Sequence, residues 1–508
     1  MRMASEGLRE HLVAYFEEHH KLVEARALTL LLDQPQPLLV SRDVVERVGP
    51  GSPLVTQEVV QEVIAARDPA PARRATAPEE PRSPAANPSG PSPGGFCLVR
   101  EGFSGPSKSE TPVEGFTRLF TSRYRQLAPL LRGRAGLENP RNARDLRPSD
   151  GVQSVIGMVR EVRTTSRQHH TIVTLDDETG SVEVLVPSGS AAGRLTFLPD
   201  EVVGLKIRWK GPRDRLPVAV DVERPDVPVA RRGNRSAQPR RTILLSDLHV
   251  GSKTFLARDW GALGEFLDGR GPNPELARSV DTVVVAGDLV DGIGVYPKQE
   301  RDVEIPDIVE QYTELGRRLA DLPRRLTIVA VPGNHDAVSP AEPQPPLPAA
   351  LGRLLGENVR LLANPSTFSL GGTLVSAYHG RGFDDLIPAL PGASYARPTE
   401  VMRRMLQMRH LAPIYGNRTP LAPADRDGLV IDPVPDILLT GHLHTYGVDR
   451  YRDVLLVNGS AWQAETEYQR MRNIVPHPSQ ATVVDLQHLG FATVDCTGGE
   501  TRIRGPDG

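Results

Sequence analysis

The chain has 508 residues, which is longer than one hydrophobic core usually supports and predicts about three domains. Its formal net charge of −3 gives no attraction for nucleic acid across the whole molecule, so any basic surface must be local. Cys97 and Cys496 are the only cysteines, which excludes a disulfide framework and a cysteine-rich zinc site. No apolar run reaches about 18 residues, so we expect no membrane span and a cytoplasmic location.

Residues 1–66 show helical periodicity and are predicted to form a small N-terminal helical module. A first helix is expected at 5–33, a second from the capping residue Ser41, and a third at 57–66. The module is interpreted either as a protein-docking domain or as a structural appendage. At 67–112 Pro, Ala, Ser, Gly and Arg dominate, and this stretch buries too little apolar surface to offset its ordering entropy. We predict a disordered tether there.

Residues 113–230 are predicted to form an OB-fold β-barrel preceded by an arginine-rich helix. From 152 onward the apolar residues recur with a period of two, which is typical of strands. Five strands are expected, at 155–162, 171–175, 181–186, 202–209 and 218–222. Such barrels often bind single-stranded nucleic acid on aromatic side chains. Phe197 and Trp209 are the only aromatics at 152–222, so a docking role is favoured over nucleic-acid binding.

Residues 241–496 are predicted to form the largest domain, a layered α/β domain, and 497–508 a flexible tail. Short apolar runs alternate there with helical segments, which indicates buried strands between helices. The runs lie at 242–245, 282–285, 326–330, 373–377, 437–439 and 454–457. Together with the first two modules, this domain makes the chain a multidomain α+β protein.

Five of these runs are followed by side chains that commonly bind metals. The first is followed by Asp247 and His249, which share one face because strand side chains alternate. The others are followed by Asp288, by Asn334, His335 and Asp336, by His379 and Arg381, and by His442 and His444. Sites in α/β sheets form at the carboxyl ends of strands, so we expect these residues to meet at one edge. A lone D-x-H pattern is a weak signal, but the ordered set predicts a metal centre.

The order of these motifs, D-x-H, G-D, G-N-H-D, H-G and G-H-x-H, resembles that of the calcineurin-like metallophosphoesterases. Longer stretches at 284–297, 378–387, 409–416 and 473–476 are similar to the small subunits of archaeal D-family DNA polymerases. The likeness covers most of 241–486, and the barrel and the N-terminal module fit the layout of that family. It implies a calcineurin-like phosphoesterase fold for the C-terminal domain.

That resemblance implies two divalent metal ions held by seven residues. The first ion would be held by Asp247, His249, Asp288 and His444. The second would be held by Asp288, Asn334, His379 and His442, with Asp288 as the bridge. Oxygen and nitrogen ligands without thiolate fit Mn²⁺, with Mg²⁺, Fe or Zn²⁺ as alternatives.

Three further residues are expected to take part in catalysis. His335 resembles the family's acid that protonates the leaving oxygen, a role that suits imidazole near neutral pH. Asp336 is expected to orient that imidazole. Arg381 is expected either to bind phosphate or to pair with Asp384 or Asp385.

The resemblance also implies a 3′–5′ exonuclease that proofreads as the small subunit of a heterodimeric replicative DNA polymerase. A large catalytic subunit would be its partner, and single-stranded 3′ ends of DNA at the nucleoid would be its substrate. A metal pair by itself predicts only phosphodiester hydrolysis, since strand polarity and the partnership follow from the resemblance. Two alternatives stay open: a free-standing metallophosphoesterase or repair nuclease, and a non-catalytic scaffold that retains its ligands.

Overall fold

The structure is a computed structural model. It describes residues 12–13, 15–16, 19, 21–32, 37–48, 54–67, 95–105, 111–149, 151–211, 214–466, 469–470 and 475–505. Three expectations lie partly outside the described residues: the start of the first predicted helix, most of the predicted tether and the end of the predicted tail. Within the described part, none of the helices is both long and apolar enough to span a bilayer.

In its described part, the N-terminal module combines helices with a two-stranded parallel sheet. Strands β1 (Leu22–Val23) and β2 (Leu54–Val55) pair in parallel. Helices α1 (Ala25–Leu32), α2 (Pro37–Val48) and α3 (Gln57–Arg67) pack around a shared apolar core. The expectation of one continuous first helix is wrong, because β1 interrupts it and its pairing with β2 overrides local helical periodicity. Helix α2 begins one turn before the expected capping residue.

Strand β3 (Phe96–Glu101) lies inside the segment predicted to be a disordered tether, so that prediction is wrong for these residues. It pairs antiparallel with the strand Ser366–Leu370 at the edge of a sheet in the C-terminal domain. The rings of Phe96 and Phe368 pack with their centroids 5.6 Å apart. The surrounding composition is that of a linker, and the pairing partner is distant in sequence, so composition alone does not reveal this strand.

Helix α4 (Pro112–Arg132) leads into a closed barrel of five strands. The Thr111 side chain caps the helix by accepting a hydrogen bond from the Glu114 N–H. The strands are β4 (Val152–Thr164), β5 (Thr171–Asp176), β6 (Ser181–Val186), β7 (Val202–Arg208) and β8 (Val218–Glu223). They close in the order β4-β5-β6-β8-β7. The five expected strands are confirmed, and the identification of the barrel as an OB fold stays a prediction.

One of the two aromatics expected to decide the role of the barrel points inward. Phe197 is 6% exposed and lies in the barrel core, so it is not available to stack on bases. The outer wall of the barrel packs instead on α4, where Leu127 and Leu131 contact Ile156 and Val202. These contacts favour the docking interpretation, which stays a prediction.

In its described part, the C-terminal domain contains two sheets and helices on their outer faces. The strands are β9 (Arg241–Leu245), β10 (Val280–Ala286), β11 (Thr327–Val331), β12 (Val359–Leu361), β13 (Ser366–Leu370), β14 (Thr373–Ala377), β15 (Ile437–Thr440), β16 (Gly447–Tyr451), β17 (Val454–Asn458), β18 (Gln480–Asp485), β19 (Phe491–Asp495) and β20 (Arg502–Arg504). The helices are α5 (Ala257–Leu267), α6 (Pro274–Ser279), α7 (Ile308–Ala320), α8 (Ala349–Gly352), α9 (Phe383–Ala389) and α10 (Pro398–Met408). One sheet has the order β12-β11-β10-β9-β18-β19-β20 and the other β16-β17-β15-β14-β13-β3.

The two sheets face each other across an apolar core. Leu244, Val284 and Val329 of the first sheet pack against Val375 and Leu439 of the second. Helices α5, α6 and α7 cover the outer face of the first sheet, and α9 and α10 cover that of the second. The layered arrangement is confirmed, but the expectation of one sheet edge is wrong. Periodicity identifies buried strands without telling which of them pair, so it did not separate β9, β10 and β11 from β14 and β15.

The prediction of a flexible tail is also wrong for the part of it that the structure describes, residues 497–505. Strand β20 pairs antiparallel with β19 and extends the first sheet. Its central side chain, Ile503, packs against the helix-covered core of that sheet. The strand has one apolar residue between two arginines, so its sequence gives little indication of a buried strand. Its ordered structure is explained by pairing with the free edge of the sheet.

A buried ion pair joins helix α4 to the C-terminal domain. The Arg123 guanidinium donates from Nε to Asp427 Oδ2 at 2.7 Å, and both side chains are 0% exposed. The same guanidinium donates to the carbonyls of Pro413 and of Asp200, which lies in the barrel between its third and fourth strands. His410 Nε2 lies 3.0 Å from the same Asp427 oxygen. Helix α4, the barrel and the C-terminal domain are thereby joined at the Arg123 guanidinium.

Candidate metal centre

The loops that carry the candidate ligands leave the carboxyl ends of five strands in the two sheets. Asp247 and His249 follow β9, Asp288 follows β10, Asn334 follows β11, His379 follows β14, and His442 and His444 follow β15. All seven side chains come together in two adjacent clusters, and His335 lies beside them.

The first cluster consists of Asp247, His249 and His444, all buried. Nε2 of His249 lies 3.1 Å from Nε2 of His444, which in turn lies 3.7 Å from Oδ1 of Asp247. The Asp247 carboxylate also accepts the His442 backbone N–H at 2.9 Å. The two loops after β9 and β15 are therefore tied together at the position of this cluster.

The second cluster consists of Asp288, His379 and His442, with Asn334 beside them. Nε2 of His379 lies 3.4 Å from Oδ2 of Asp288, 3.0 Å from Oδ1 of Asn334 and 3.2 Å from Nδ1 of His442. Nδ1 of His379 lies 3.1 Å from the carbonyl of Ala286, which fixes the ring with its other nitrogen toward the cluster.

Asp288 stands between the two clusters. Its Oδ2 lies 3.4 Å from Nε2 of His379 in one cluster and 3.7 Å from Nε2 of His249 in the other. Its Oδ1 accepts the backbone N–H of His335 at 2.9 Å, which holds the carboxylate in this orientation. This is the position that a bridging ligand requires.

Five of the candidate ligands have positive φ angles, a conformation that is unusual for residues other than glycine. They are Asp247, His249, Asp288, His442 and His444, with φ between 48° and 70°. Nearby glycines permit the close approach of these loops. A Cβ on Gly333 would collide with the Asp288 carboxylate, and one on Gly441 would collide with that of Asp247.

The charges in the two clusters shift one another's pKa values. Burial raises the pKa of Asp247 and lowers that of His444. Burial lowers the pKa of His379 too, but the neighbouring charge of Asp288 outweighs it and raises that pKa to about 10. Buried carboxylates are costly unless positive charge compensates them. Cations at the clusters would supply that charge and replace protons on the imidazoles, so this oxygen and nitrogen donor set fits divalent metal ions.

His335 lies beside the clusters with one nitrogen facing them. Its Nδ1 lies 2.7 Å from the carbonyl of Asp291, and its Nε2 lies 3.9 Å from Oδ2 of Asp288. Burial lowers the pKa of this imidazole, although the charge of Asp288 opposes the shift. The carbonyl bond leaves Nε2 directed at the space next to the shared carboxylate.

Asp336 does not orient His335, so that expectation is wrong. Its carboxylate accepts hydrogen bonds from the Gly333 N–H at 2.8 Å, the Leu289 N–H at 3.1 Å and the Tyr312 hydroxyl at 2.8 Å. Burial, together with the charge of Asp288, raises the pKa of Asp336 to about 6. The side chain turns away from the imidazole because it satisfies buried donors of two loops and a helix.

Arg381 lines the cavity at the clusters, and its guanidinium donates to the carbonyl of Pro340 at 3.2 Å. Arg381 forms no ion pair within 4 Å with either expected partner, Asp384 or Asp385. Asp384 lies 3.2 Å from Nε2 of His442, and Asp385 accepts backbone N–H groups of residues 418 and 419. The alternative of a pairing with those carboxylates is thus wrong, and phosphate binding stays a prediction.

Sequence reasoning missed Asp291, which supports two of the predicted residues. Its Oδ1 lies 3.2 Å from Nδ1 of His249 and accepts a hydrogen bond from the Gln463 side chain at 3.1 Å. Its carbonyl holds His335. Asp291 stands only three residues after Asp288, and that spacing in a post-strand loop is the signal that could have singled it out.

The cavity next to the clusters has a volume of about 400 Å³. Besides the candidate ligands, it is lined by Tyr296, Tyr395, Arg381, Arg418 and Gln469. Gln469 contacts the first cluster directly, with its Nε2 2.7 Å from Nδ1 of His444. Cationic and aromatic side chains thus border this cavity together with the candidate ligands.

Comparison with known proteins identifies relatives over most of the chain. Residues 242–448 match the family model for the B-subunit family of DNA polymerases alpha and epsilon. The DNA polymerase II small subunit of Archaeoglobus fulgidus is 40% identical, over 76% of this chain and 78% of that protein. That of Methanothermobacter thermautotrophicus is 41% identical, over 72% of this chain and 76% of that protein.

Among solved structures, vacuolar protein sorting 29 from Cryptosporidium parvum is 17% identical and has a TM-score of 0.26. It covers 52% of this chain and 96% of that chain. A similarity of this size adds nothing to the fold described above. The two archaeal relatives, in contrast, match well over two thirds of their own length. The chain therefore belongs to the family of DNA polymerase II small subunits.

Proposed function

We propose that this chain is a metal-dependent 3′–5′ exonuclease, the proofreading small subunit of a two-subunit replicative DNA polymerase. The observation that carries the proposal is the position of Asp288 Oδ2, which faces His379 of one cluster and His249 of the other. Two ligand clusters around one shared carboxylate are the arrangement that two-metal phosphodiester hydrolysis uses. The metal ligands are Asp247, His249, Asp288, Asn334, His379, His442 and His444.

Each residue has a role that follows from its contacts. Two divalent cations, Mn²⁺ by the chemistry of the donor set, would supply charge neutralisation at the scissile phosphate and activation of water. His335, when doubly protonated, donates the Nε2 proton to the leaving oxygen and is left as the neutral ring whose Nδ1–H remains bonded to the Asp291 carbonyl. Asp288 contributes its carboxylate to both clusters. Arg381 binds phosphate with the donors that its bond to Pro340 leaves open.

The partner and the substrate rest on the family. Both archaeal relatives are named small subunits of DNA polymerase II, which supports a large catalytic subunit as the partner of this chain. Single-stranded 3′ ends are the substrate that proofreading requires. The N-terminal module and the barrel add surface without adding candidate ligands, which supports a role for them in assembly.

The test measures strand polarity and metal dependence together. The full chain, alone and with its large subunit, is incubated with Mn²⁺ and single-stranded DNA labelled at its 5′ end. We expect a ladder of progressively shorter labelled products, and release of labelled mononucleotide as the first product from a 3′-labelled strand. His335→Ala should slow both about 100-fold or more, since general-acid catalysis contributes on that scale.

The same preparation separates the alternatives. Absence of cleavage by the chain and by its complex would support a non-catalytic scaffold. Cleavage by a chain that does not purify with a large subunit from its native source would support a free-standing nuclease. Internal cuts, seen as random product lengths, would contradict the exonuclease assignment while leaving the metal centre in place.

A further inference from the structure

A pair of arginines lines the cavity at the candidate metal centre with most of its hydrogen-bond donors unused. Toward the described residues, Arg381 makes one side-chain hydrogen bond, to the carbonyl of Pro340. The Arg418 guanidinium makes no hydrogen bond or ion pair with any residue that the structure describes. Each guanidinium carries five N–H donors, so the two together offer a large donor surface to a ligand in the cavity.

The separation of the two arginines is fixed by a buried carboxylate. Asp385, 6% exposed, accepts the backbone N–H of Arg418 at 2.8 Å and that of Thr419 at 2.9 Å. The Thr419 hydroxyl donates to the carbonyl of Arg381 at 3.0 Å. Three hydrogen bonds therefore tie the loop that carries Arg418 to the turn that carries Arg381. Such anchoring is typical of a site held in place for a ligand.

The arginines lie to one side of the ligand clusters, with Asp384 as their common neighbour. Asp384 Oδ2 lies 3.2 Å from Nε2 of His442, a candidate ligand. Asp384 lines the same cavity as Arg381 and Arg418. Both arginines therefore border the cavity next to the candidate ligands, alongside a residue that contacts one of them.

We propose that Arg381 and Arg418 form a clamp for the phosphate next to the one that is hydrolysed. The inference rests on the proposed function for the position of the scissile phosphate at Asp288. Planar guanidinium groups bind phosphate oxygens through paired hydrogen bonds, and a cavity of about 400 Å³ accommodates groups beyond the reacting phosphate. The substrate is accordingly a polynucleotide with two consecutive phosphates, rather than a phosphomonoester or an isolated diester.

The test removes the charge from the substrate and from the protein in turn. Two labelled single-stranded oligonucleotides are compared, and both have a native phosphate at the terminal 3′ linkage. The linkage next to it is a native phosphate in one oligonucleotide and a neutral methylphosphonate in the other. Their binding to the complex of the full chain and its large subunit is measured with Mn²⁺, in a His335→Ala background that slows turnover during the measurement. We expect the native linkage to bind about tenfold more tightly, and Arg418→Ala to abolish that preference.

Two further variants define the cause. Arg317→Ala removes an equally charged side chain, 74% exposed on α7 and outside the cavity, so it should keep the tenfold preference. Arg418→Lys keeps the charge but loses the planar donor pair, so its preference should fall between those of the other two variants. An Arg418→Ala complex with an unchanged preference would overturn the clamp, as would an equal loss in Arg317→Ala.

Product formation by the unmutated complex is recorded on the same oligonucleotides. If the binding preference depends on Arg418 but no cleavage product forms, the clamp is supported and the nuclease function is rejected. Products from a complex that shows no preference support the nuclease and reject the clamp. The two proposals thus fail in different measurements.

Discussion

Single residues at the centre adopt backbone conformations that the surrounding contacts must stabilise. Each non-glycine residue at positive φ costs about 1–3 kcal/mol, and five candidate ligands have such angles. Backbone hydrogen bonds offset part of that cost, as where the His442 N–H meets the Asp247 carboxylate and the His335 N–H meets Asp288. The ligands are consequently positioned before any ion binds, which supports a binding role for these side chains.

Asp288→Ala removes the carboxylate that both clusters share. We expect the variant to lose bound Mn²⁺ at both clusters and to show no cleavage, since it removes the oxygen that faces His249 of one cluster and His379 of the other. Metal content after equilibrium dialysis, measured by mass spectrometry, gives the first result, and the exonuclease assay gives the second. Asp268→Ala, at an exposed position, serves as the control. Retained cleavage would contradict the bridging assignment.

Asp291→Asn weakens the support of His249 while keeping the backbone carbonyl that holds His335. Carboxylates that contact ligand imidazoles typically change metal affinity by about 10–100-fold when they are replaced. We expect a loss of Mn²⁺ affinity in that range, measured by titration calorimetry. Saturating Mn²⁺ should restore most of the rate, because the acid is still in place. A rate that stays low at saturation would show that Asp291 acts on chemistry rather than on metal binding.

Among the structural elements, the loop after β11 depends on Asp336 for its shape. Three donors converge on this buried carboxylate, so Asp336→Ala leaves them without a partner. Each unsatisfied buried donor costs about 1–3 kcal/mol, and we expect the free energy of unfolding to fall by about 3 kcal/mol or more. Urea denaturation measures the loss. Unchanged stability would mean that the loop is held by other contacts.

Helix α4 is expected to depend on one buried side chain. Arg123→Ala leaves the Asp427 carboxylate buried without its cationic partner, with only His410 and the Leu429 N–H as described partners. Removing one partner of a buried ion pair typically costs about 3–5 kcal/mol. Arg118→Ala is the matched control on the same helix, because its ion pair with Asp425 is 50% and 38% exposed. Exposed pairs contribute about 1 kcal/mol or less. Equal losses in the two variants would contradict a central role for Arg123.

For the whole molecule, His410 makes stability depend on pH. Burial and the charge of Arg123 lower the pKa of this imidazole to about 4, although the charge of Asp427 opposes the shift. In the unfolded chain the imidazole has its ordinary pKa of 6.5. Between those values the unfolded chain binds a proton that the folded protein does not, so the free energy of unfolding falls as the pH drops from 6.5 to 4. The total loss is about 3 kcal/mol.

Urea denaturation at pH 7 and at pH 4.5 checks this dependence. His410→Gln lacks the titrating group and should lose about 2 kcal/mol less than the unmutated protein between those two values. The comparison between variants cancels the titration of carboxylates elsewhere. Parallel losses in both proteins would exclude His410 as the cause.

Local pattern in the sequence determined the strands of the barrel and the runs that end at the candidate ligands. Period-two alternation and short apolar runs reflect burial of one or both faces of a strand, so they can be read without knowing the partners. The ordered motifs between 247 and 444 indicated the family through their spacing. The seven ligand candidates, His335 and the cavity position of Arg381 were therefore accessible from the sequence.

Tertiary structure alone decided which strands pair and which side chains support others. Strands β1, β3 and β20 owe their order to partners distant in sequence or to a free sheet edge, and local composition carries no record of such partners. The same reason explains the division of the ligand-bearing strands between two sheets. The role expected of Asp336 belongs to the carbonyl of Asp291, which had no expected role, because the contacts of a side chain depend on donors brought by other loops.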